Sequence, residues 1–215
     1  MIEIKKNAEP PELTKYKNTP GARYDDMRSE LKNHIKEQLL KEQGYLCAYC
    51  MRRISLNNST IEHWTPRSKT DEKMKLQYFN MLAVCDGNAN NKGSEKNHTC
   101  DKKRGDSSLT VNPTDKTTLR DIKYTSDGFI KSENEIINTD INKTLNLNCE
   151  SVFLVSNRKN ALTGFLEMLN KNHGNKKIEK SQYEKYYKLF SDYDSNGAKT
   201  EYCGIILWWL KKKMR

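Results

Sequence analysis

The chain has 215 residues, of which 38 are basic and 28 are acidic, so it carries a formal net charge of +10. Its longest apolar segment, residues 204–210, is far shorter than the roughly 18 to 20 apolar residues of a membrane span, which excludes a membrane-spanning protein. The first residues contain no apolar signal segment, and we therefore expect a cytoplasmic protein. The positive charge favours a polyanionic partner such as nucleic acid, although a solvated lysine-rich surface explains it equally well.

The first 22 residues are predicted to form an extended basic arm. They contain the pairs Pro10-Pro11 and Pro20-Gly21, which interrupt both helices and strands. We expect this arm to lie over another part of the chain.

An amphipathic helix is predicted over residues 25–43. Its apolar residues recur four positions apart and share one face: Met27, Leu31, Ile35 and Leu39. The acidic Asp25 and Asp26 suit the first turn of a helix, and Gly44 suits the position just after its end. The predicted helix leads directly into the first pair of cysteines.

Four cysteines predict a structural zinc site: Cys47, Cys50, Cys85 and Cys100. The two-residue spacing of the first pair lets both thiolates bind one tetrahedral Zn²⁺ at about 2.3 Å, although a redox dithiol is the alternative interpretation of that pair. The second pair supplies the remaining ligands, with His98 as the alternative to either member. The polar residues 86–93 are predicted to form a loop whose ends the metal holds together. Without a secretion signal, a disulfide framework is disfavoured.

Three stretches interleaved with these cysteines carry acidic, histidine and asparagine residues in a specific order. Glu62-His63 comes first, Asn80 precedes a short apolar run, and Asp101 directly follows Cys100, the last of these four cysteines. This order resembles the HNH nuclease family. The resemblance implies an α+β fold with a zinc-stabilised ββα-metal core preceded by a helix, and it implies that these four residues form the catalytic site.

Hydrolysis of a phosphodiester bond requires an activated water molecule and a neutralised leaving oxygen. A neutral His63 can act as general base, while Glu62 and Asp101 offer oxygen ligands for Mg²⁺ or Mn²⁺. Because successive strand side chains face opposite ways, Glu62 and His63 can act together only if the strand ends or bends there. The resemblance implies that Asn80 braces the following loop and orients His63 by hydrogen bonding.

Basic residues surround the motif and are predicted to bind nucleic-acid phosphates, with ordinary solvated cations as the alternative. They are Arg67, Lys102, Lys103 and Arg104. Asp101 stands where the family usually has His or Asn. A carboxylate still binds Mg²⁺, but it adds negative charge beside a phosphate.

The remainder of the chain is predicted to form a small hairpin and a helical region. Residues 122–130 contain an Asp127-Gly128 turn between two β-type segments. From residue 151 onward, apolar residues recur near helical spacing. Within that region, residues 205–210 are predicted to form a buried terminal helix, with a partner-docking element as the alternative. We therefore divide the chain into an arm (1–22), a nuclease domain (23–115), a hairpin connector (116–150) and a helical region (151–215).

The arrangement of residues 1–130 resembles one branch of the HNH nucleases, the PtuB subunits of Septu anti-phage systems, whose relatives also accompany retrons. The resemblance rests on residues 2–6, 45–50, 61–66 and 124–129 together with Asn112-Pro113. It implies a metal-dependent endonuclease that acts on DNA, with RNA as the alternative substrate, and a PtuA-like ATPase partner. The competing interpretation is a zinc-dependent adaptor for nucleic acid or protein that has lost catalysis.

Overall fold

The computed structural model describes residues 1–89 and 94–215, so residues 90–93 of the predicted loop lie outside the described residues. The chain is α+β, as predicted, and its described residues form two separate antiparallel sheets of two strands each. The helices and strands in chain order are α1 (Pro11–Lys17), α2 (Ser29–Glu42), β1 (Ser59–His63), α3 (Glu72–Lys75), β2 (Met81–Cys85), α4 (Cys100–Arg104), α5 (Lys116–Leu119), β3 (Ile122–Tyr124), β4 (Ile130–Ser132), α6 (Glu135–Thr139), α7 (Leu154–His173), α8 (Lys180–Ser191) and α9 (Cys203–Lys213). Within the described ranges, no helix has the length and apolar character needed to cross a membrane.

The N-terminal arm lies across the rest of the chain, but it is not extended throughout. Pro11 begins α1, a position that suits proline because its fixed φ matches a helix and no hydrogen bond from its nitrogen is needed there. Leu13 is fully buried, and the Ile4 N–H donates to the Pro113 carbonyl at 2.8 Å. The prediction of an extended arm is therefore wrong for residues 11–17.

The second helix begins later than predicted. α2 begins at Ser29, and the residues before it form a turn in which the Met27 N–H donates to the Tyr24 carbonyl. This turn buries both Tyr24 and Met27, and their three-residue spacing is also compatible with a helix, so the apolar pattern alone does not reveal the turn. The end of the helix agrees with the prediction, since Gly44 follows it with a φ of +60°.

Strands β1 and β2 pair so that His63, at the end of β1, lies opposite Met81, at the start of β2. All five residues of β2 are buried. The edge of β2 that does not pair with β1 is hydrogen-bonded to the Gln43 side chain. This side chain accepts from the Ala83 N–H at 2.8 Å and donates to the Ala83 carbonyl at 2.7 Å. The strand pair is thereby fixed to the end of α2, and α4 packs against β2 to complete a β–β–α unit.

The predicted hairpin and terminal helix are both present. Gly128 in the β3–β4 turn has a φ of +94°, and a Cβ atom there would lie 2.1 Å from the Val155 carbonyl oxygen of α7. Only glycine fits this close approach. Helix α9 packs against α7 and α8, and Ile205, Ile206 and Leu210 are buried. The interpretation of residues 205–210 as a buried helix is therefore confirmed.

Candidate metal centre and active site

Four buried cysteines converge beside the strand pair. The sulfur atoms of Cys47, Cys50, Cys85 and Cys100 all lie within 4.8 Å of one another. The Cys47–Cys100 and Cys50–Cys85 sulfur distances are 3.9 Å and 3.8 Å. Four sulfurs at about 2.3 Å from a tetrahedral zinc ion would be about 3.8 Å apart, so the cluster fits Zn²⁺. His98 does not belong to this cluster, which among the described residues contains cysteines alone.

The first pair of cysteines lies on a tight turn after α2. The Met51 N–H donates to the Cys47 carbonyl at 3.0 Å, and the Cys47 N–H donates to the Arg52 carbonyl at 2.9 Å. Met51 has a φ of +63°, which reverses the chain directly after Cys50. This geometry directs both thiols toward one point.

The second pair joins the end of β2 to the start of α4. Gly87, two residues after Cys85, has a φ of +58°, and a Cβ atom there would lie 2.2 Å from the Thr99 carbonyl oxygen. The Thr99 N–H donates to the Gly87 carbonyl at 3.0 Å. The described ends of the predicted loop are thus held together directly beside Cys85 and Cys100.

Glu62 contacts helix α4 through its carboxylate. It forms a buried ion pair with Arg104, and its Oε1 accepts from the Tyr49 hydroxyl at 3.2 Å. The carboxylate of Asp101, one turn before Arg104, lies close to that of Glu62. Burial, followed by the Asp101 charge, raises the pKa of Glu62 to about 8, although Arg104 opposes the shift. Two carboxylates placed side by side in this way provide hard oxygen ligands suited to a divalent cation.

Arg104 is not the exposed phosphate-binding cation that the sequence predicted. It is only 3% exposed, and its guanidinium donates to Glu62 and to the backbone carbonyls of His63, Trp64 and Ser107. Its role is to join the end of β1 to α4. The other three predicted cations, Arg67, Lys102 and Lys103, are exposed, and Arg67 pairs with Asp25 at 2.6 Å.

The His63 side chain contacts elements other than those that hold the Glu62 side chain, as strand alternation requires, and β1 ends at this residue. The ring nitrogen Nε2 lies 2.9 Å from the Lys75 carbonyl oxygen. Because a carbonyl only accepts, Nε2 carries the hydrogen and Nδ1 is the nitrogen that can take a proton. The ring packs edge-on against Tyr24 with centroids 4.5 Å apart, and burial lowers the pKa of His63 to about 4. The imidazole is therefore neutral at pH 7.

Asn80 holds the turn that directly follows β1. Its Oδ1 accepts from the Thr65 N–H at 2.7 Å, and its Nδ2 donates to the Thr65 carbonyl at 3.1 Å. Its own carbonyl accepts from the Trp64 N–H at 2.8 Å. Asn80 therefore braces the turn after β1, whereas the His63 ring is bonded to the Lys75 carbonyl.

Three residues of the site were not predicted: Tyr24, Tyr49 and the backbone of Lys75. Tyr24 reaches His63 from a turn before α2, and Lys75 contributes a carbonyl, which no side-chain pattern reveals. Tyr49 lies between the first two cysteines, a position that suggests packing rather than a bond to Glu62.

Two known proteins are similar to parts of this chain. "Retron Vc95 putative HNH endonuclease" from Vibrio cholerae serotype O1 biovar El Tor is 28% identical over 138 residues, which cover 60% of this chain and 65% of that protein. "Retron Ec83 putative HNH endonuclease" from Escherichia coli is 31% identical over 101 residues, which cover 42% of this chain and 39% of that protein. The chain thus spans less than two thirds of the length of either relative. No family model matches it.

Proposed function

We propose that this chain is a metal-dependent HNH endonuclease that hydrolyses phosphodiester bonds of nucleic acid. The observation that carries the proposal is the junction of β1 with α4, where a neutral His63 ends the strand and the Glu62–Asp101 carboxylate pair lies beside the cysteine cluster. Similarity to two relatives named as HNH endonucleases of retrons supports the same function.

The carboxylate pair fits a hard divalent cation in its donor atoms and charge. Burial and the Asp101 charge raise the pKa of Glu62 although Arg104 opposes the shift. The positive charge of Arg104 alone therefore does not balance two adjacent carboxylates. Glu62 and Asp101 would hold Mg²⁺ or Mn²⁺, which supplies Lewis-acid stabilisation of the departing oxygen.

The protein's own groups manage the proton and the substrate. His63 accepts the proton of the attacking water at Nδ1, while the Lys75 carbonyl holds the hydrogen on Nε2 and fixes the tautomer. Asn80 holds the turn after His63, so that the ring keeps its place. The exposed Lys102 and Lys103 on α4 attract the phosphates of the substrate.

The cysteine cluster gives this site its shape. A zinc ion bound to Cys100 would fix the first residue of α4, and Asp101 follows it directly. Zinc would also contribute folding free energy, because a metal that binds the folded chain stabilises it. We therefore assign zinc a structural role only.

DNA is the proposed substrate, with RNA as the alternative. We further propose an effector role in defence against phage together with a PtuA-like ATPase, as the resemblance to the Septu nucleases implies. The names of the two relatives, which both refer to retrons, support a role in a system of this kind.

A catalytically inactive adaptor is the second candidate, and the burial of His63 favours it. The residue is 3% exposed under Tyr24, whereas a general base must meet water. Incubation of the chain with supercoiled plasmid in Mg²⁺, in Mn²⁺ and in buffer free of divalent cations tests the two functions. The nuclease nicks the plasmid only with metal and loses this activity in Glu62→Gln; binding without nicking under all three conditions identifies an adaptor.

A further inference from the structure

A large groove lies on the side of the protein formed by the hairpin and the C-terminal helices. It has a volume of about 1250 Å³ and is lined by the first residues of the chain, α5, β3, β4, α8 and α9. Small-molecule pockets are usually about 300 to 1,000 Å³, so the groove suits an extended ligand. Glu62, His63 and Asp101 are not among the described residues that line it, and neither are the four clustered cysteines.

The lining of this groove is strongly basic. Eight lysine and arginine side chains line it, against the two acidic side chains Glu3 and Asp192. Lys123 and Lys131 lie directly opposite each other on the paired strands; Glu133 forms an ion pair with Lys123 and also interacts with the charge of Lys131. One carboxylate beside two opposed lysines leaves a net positive charge on this part of the hairpin, which favours an anionic ligand.

Aromatic rings lie among these cations. Tyr187 of α8 and Trp208 and Trp209 of α9 line the groove and are half-buried. The Lys212 ammonium lies 4.7 Å from the centroid of the Trp208 ring, and the Lys211 ammonium lies 5.7 Å from that of Tyr187. Both ammonium groups lie over the ring faces, so a base would stack on the ring once the flexible lysine side chain has moved to a phosphate of the same strand.

We propose that this groove binds a single-stranded segment of nucleic acid, separately from the site that cleaves. A duplex keeps its bases stacked inside the helix and offers no base that can stack on the aromatic side chains of the groove. An acidic polypeptide uses the cations but offers few flat groups for Tyr187 and Trp208. The combination of positive charge and aromatic rings therefore favours a single strand. This proposal for the groove does not depend on whether His63 catalyses hydrolysis.

The test measures binding of the full chain to a fluorescently labelled 20-nucleotide single strand, in buffer without divalent cations, over a range of salt concentrations. The variant Lys131→Ala/Lys212→Ala removes two exposed groove cations. We expect at least tenfold weaker binding and a log–log salt slope shallower by about 1.4, since each phosphate contact contributes about 0.7 for a single strand. The matched control is Lys171→Ala/Lys176→Ala, which removes two exposed cations outside the groove and should bind within twofold of wild type.

The same titration with a duplex of equal length and with polyglutamate separates the possible occupants. Tighter binding of the single strand, with quenching of tryptophan fluorescence that Trp208→Phe reduces, supports the proposal. Equal losses in the groove and control variants overturn it, as does stronger binding of polyglutamate, which would assign the groove to an acidic protein. If the groove and the cleavage site are separate, Lys131→Ala/Lys212→Ala should still nick plasmid, and His63→Ala should still bind the single strand.

Discussion

The cysteine cluster and the Glu62–His63 site are adjacent in the fold, but they are built in different ways. The cluster is closed, because four buried thiols at tetrahedral spacing leave no position for a substrate. The proposed catalytic site instead has two neighbouring carboxylates, of which Glu62 has a raised pKa, and a neutral imidazole. We infer that the first site holds the fold and that the second carries the proposed chemistry, so removing one should affect stability and removing the other should affect turnover.

The largest effect is expected from removing a zinc ligand. Cys47→Ser should lose the bound metal and unfold the region around β1, β2 and α4, because structural zinc binding is worth about 10 to 16 kcal/mol in small zinc domains. Wild type should contain one zinc ion per chain by metal analysis. Cys149→Ser is the matched control, since Cys149 is buried but lies outside the cluster. A folded, zinc-free and active Cys47→Ser protein would contradict the structural role.

A smaller loss of stability is expected at the junction of the two sites. Arg104→Ala leaves Glu62 buried without its ion-pair partner, and breaking a buried pair from one side lowers the free energy of unfolding by about 3 to 5 kcal/mol. Denaturant unfolding measures this loss. Lys103→Ala, one residue earlier and exposed, should change stability by less than about 0.5 kcal/mol. Similar values for the two variants would show that the Arg104 pair does not hold α4.

Asp101 should affect metal affinity more than folding. Asp101→Ala should reduce cleavage roughly 10- to 100-fold at low Mg²⁺, a loss that raised Mg²⁺ or Mn²⁺ partly restores, and Asp101→Asn should be milder because one oxygen ligand remains. The competing role is a cap on the first turn of α4, which begins directly before Asp101. If Asp101 acts only as a cap, Asp101→Ala should have a lower melting temperature, unchanged turnover at permissive temperature and no response to metal concentration.

The smallest effect is expected from removing the Tyr24 ring, which packs against the His63 imidazole. Burial lowers the pKa of His63 to about 4, so the ring is neutral and competent above that pH. Tyr24→Ala exposes the ring, and its pKa should rise toward the ordinary value of about 6.5. The acid limb of the kcat/KM profile should therefore move upward by as much as about 2 pH units. Tyr24→Phe keeps the ring contact and should leave the limb in place; an unchanged limb in Tyr24→Ala would show that Tyr24 does not desolvate His63.

The same contrast explains what could be predicted from the sequence. The cysteine spacing, the Asp-Gly turn and the apolar run of α9 are local patterns, and all three correspond to the structure. The contact between Tyr24 and His63 and the burial of Arg104 depend on packing between distant segments. The predicted start of α2 is wrong because the residues before Ser29 form a turn, and the spacing of their apolar side chains fits a turn and a helix equally well.

Plasmid nicking by His63→Ala in Mg²⁺, with zinc content and DNA binding measured on the same preparation, tests whether His63 is the general base. We expect loss of nicking with one zinc ion per chain retained and DNA affinity unchanged, because the proposed role of His63 is to transfer a proton and not to hold the cluster. His34→Ala, an exposed histidine on α2, should cleave like wild type. Nicking by His63→Ala at the wild-type rate would contradict the assignment of the general base and, with it, the HNH mechanism.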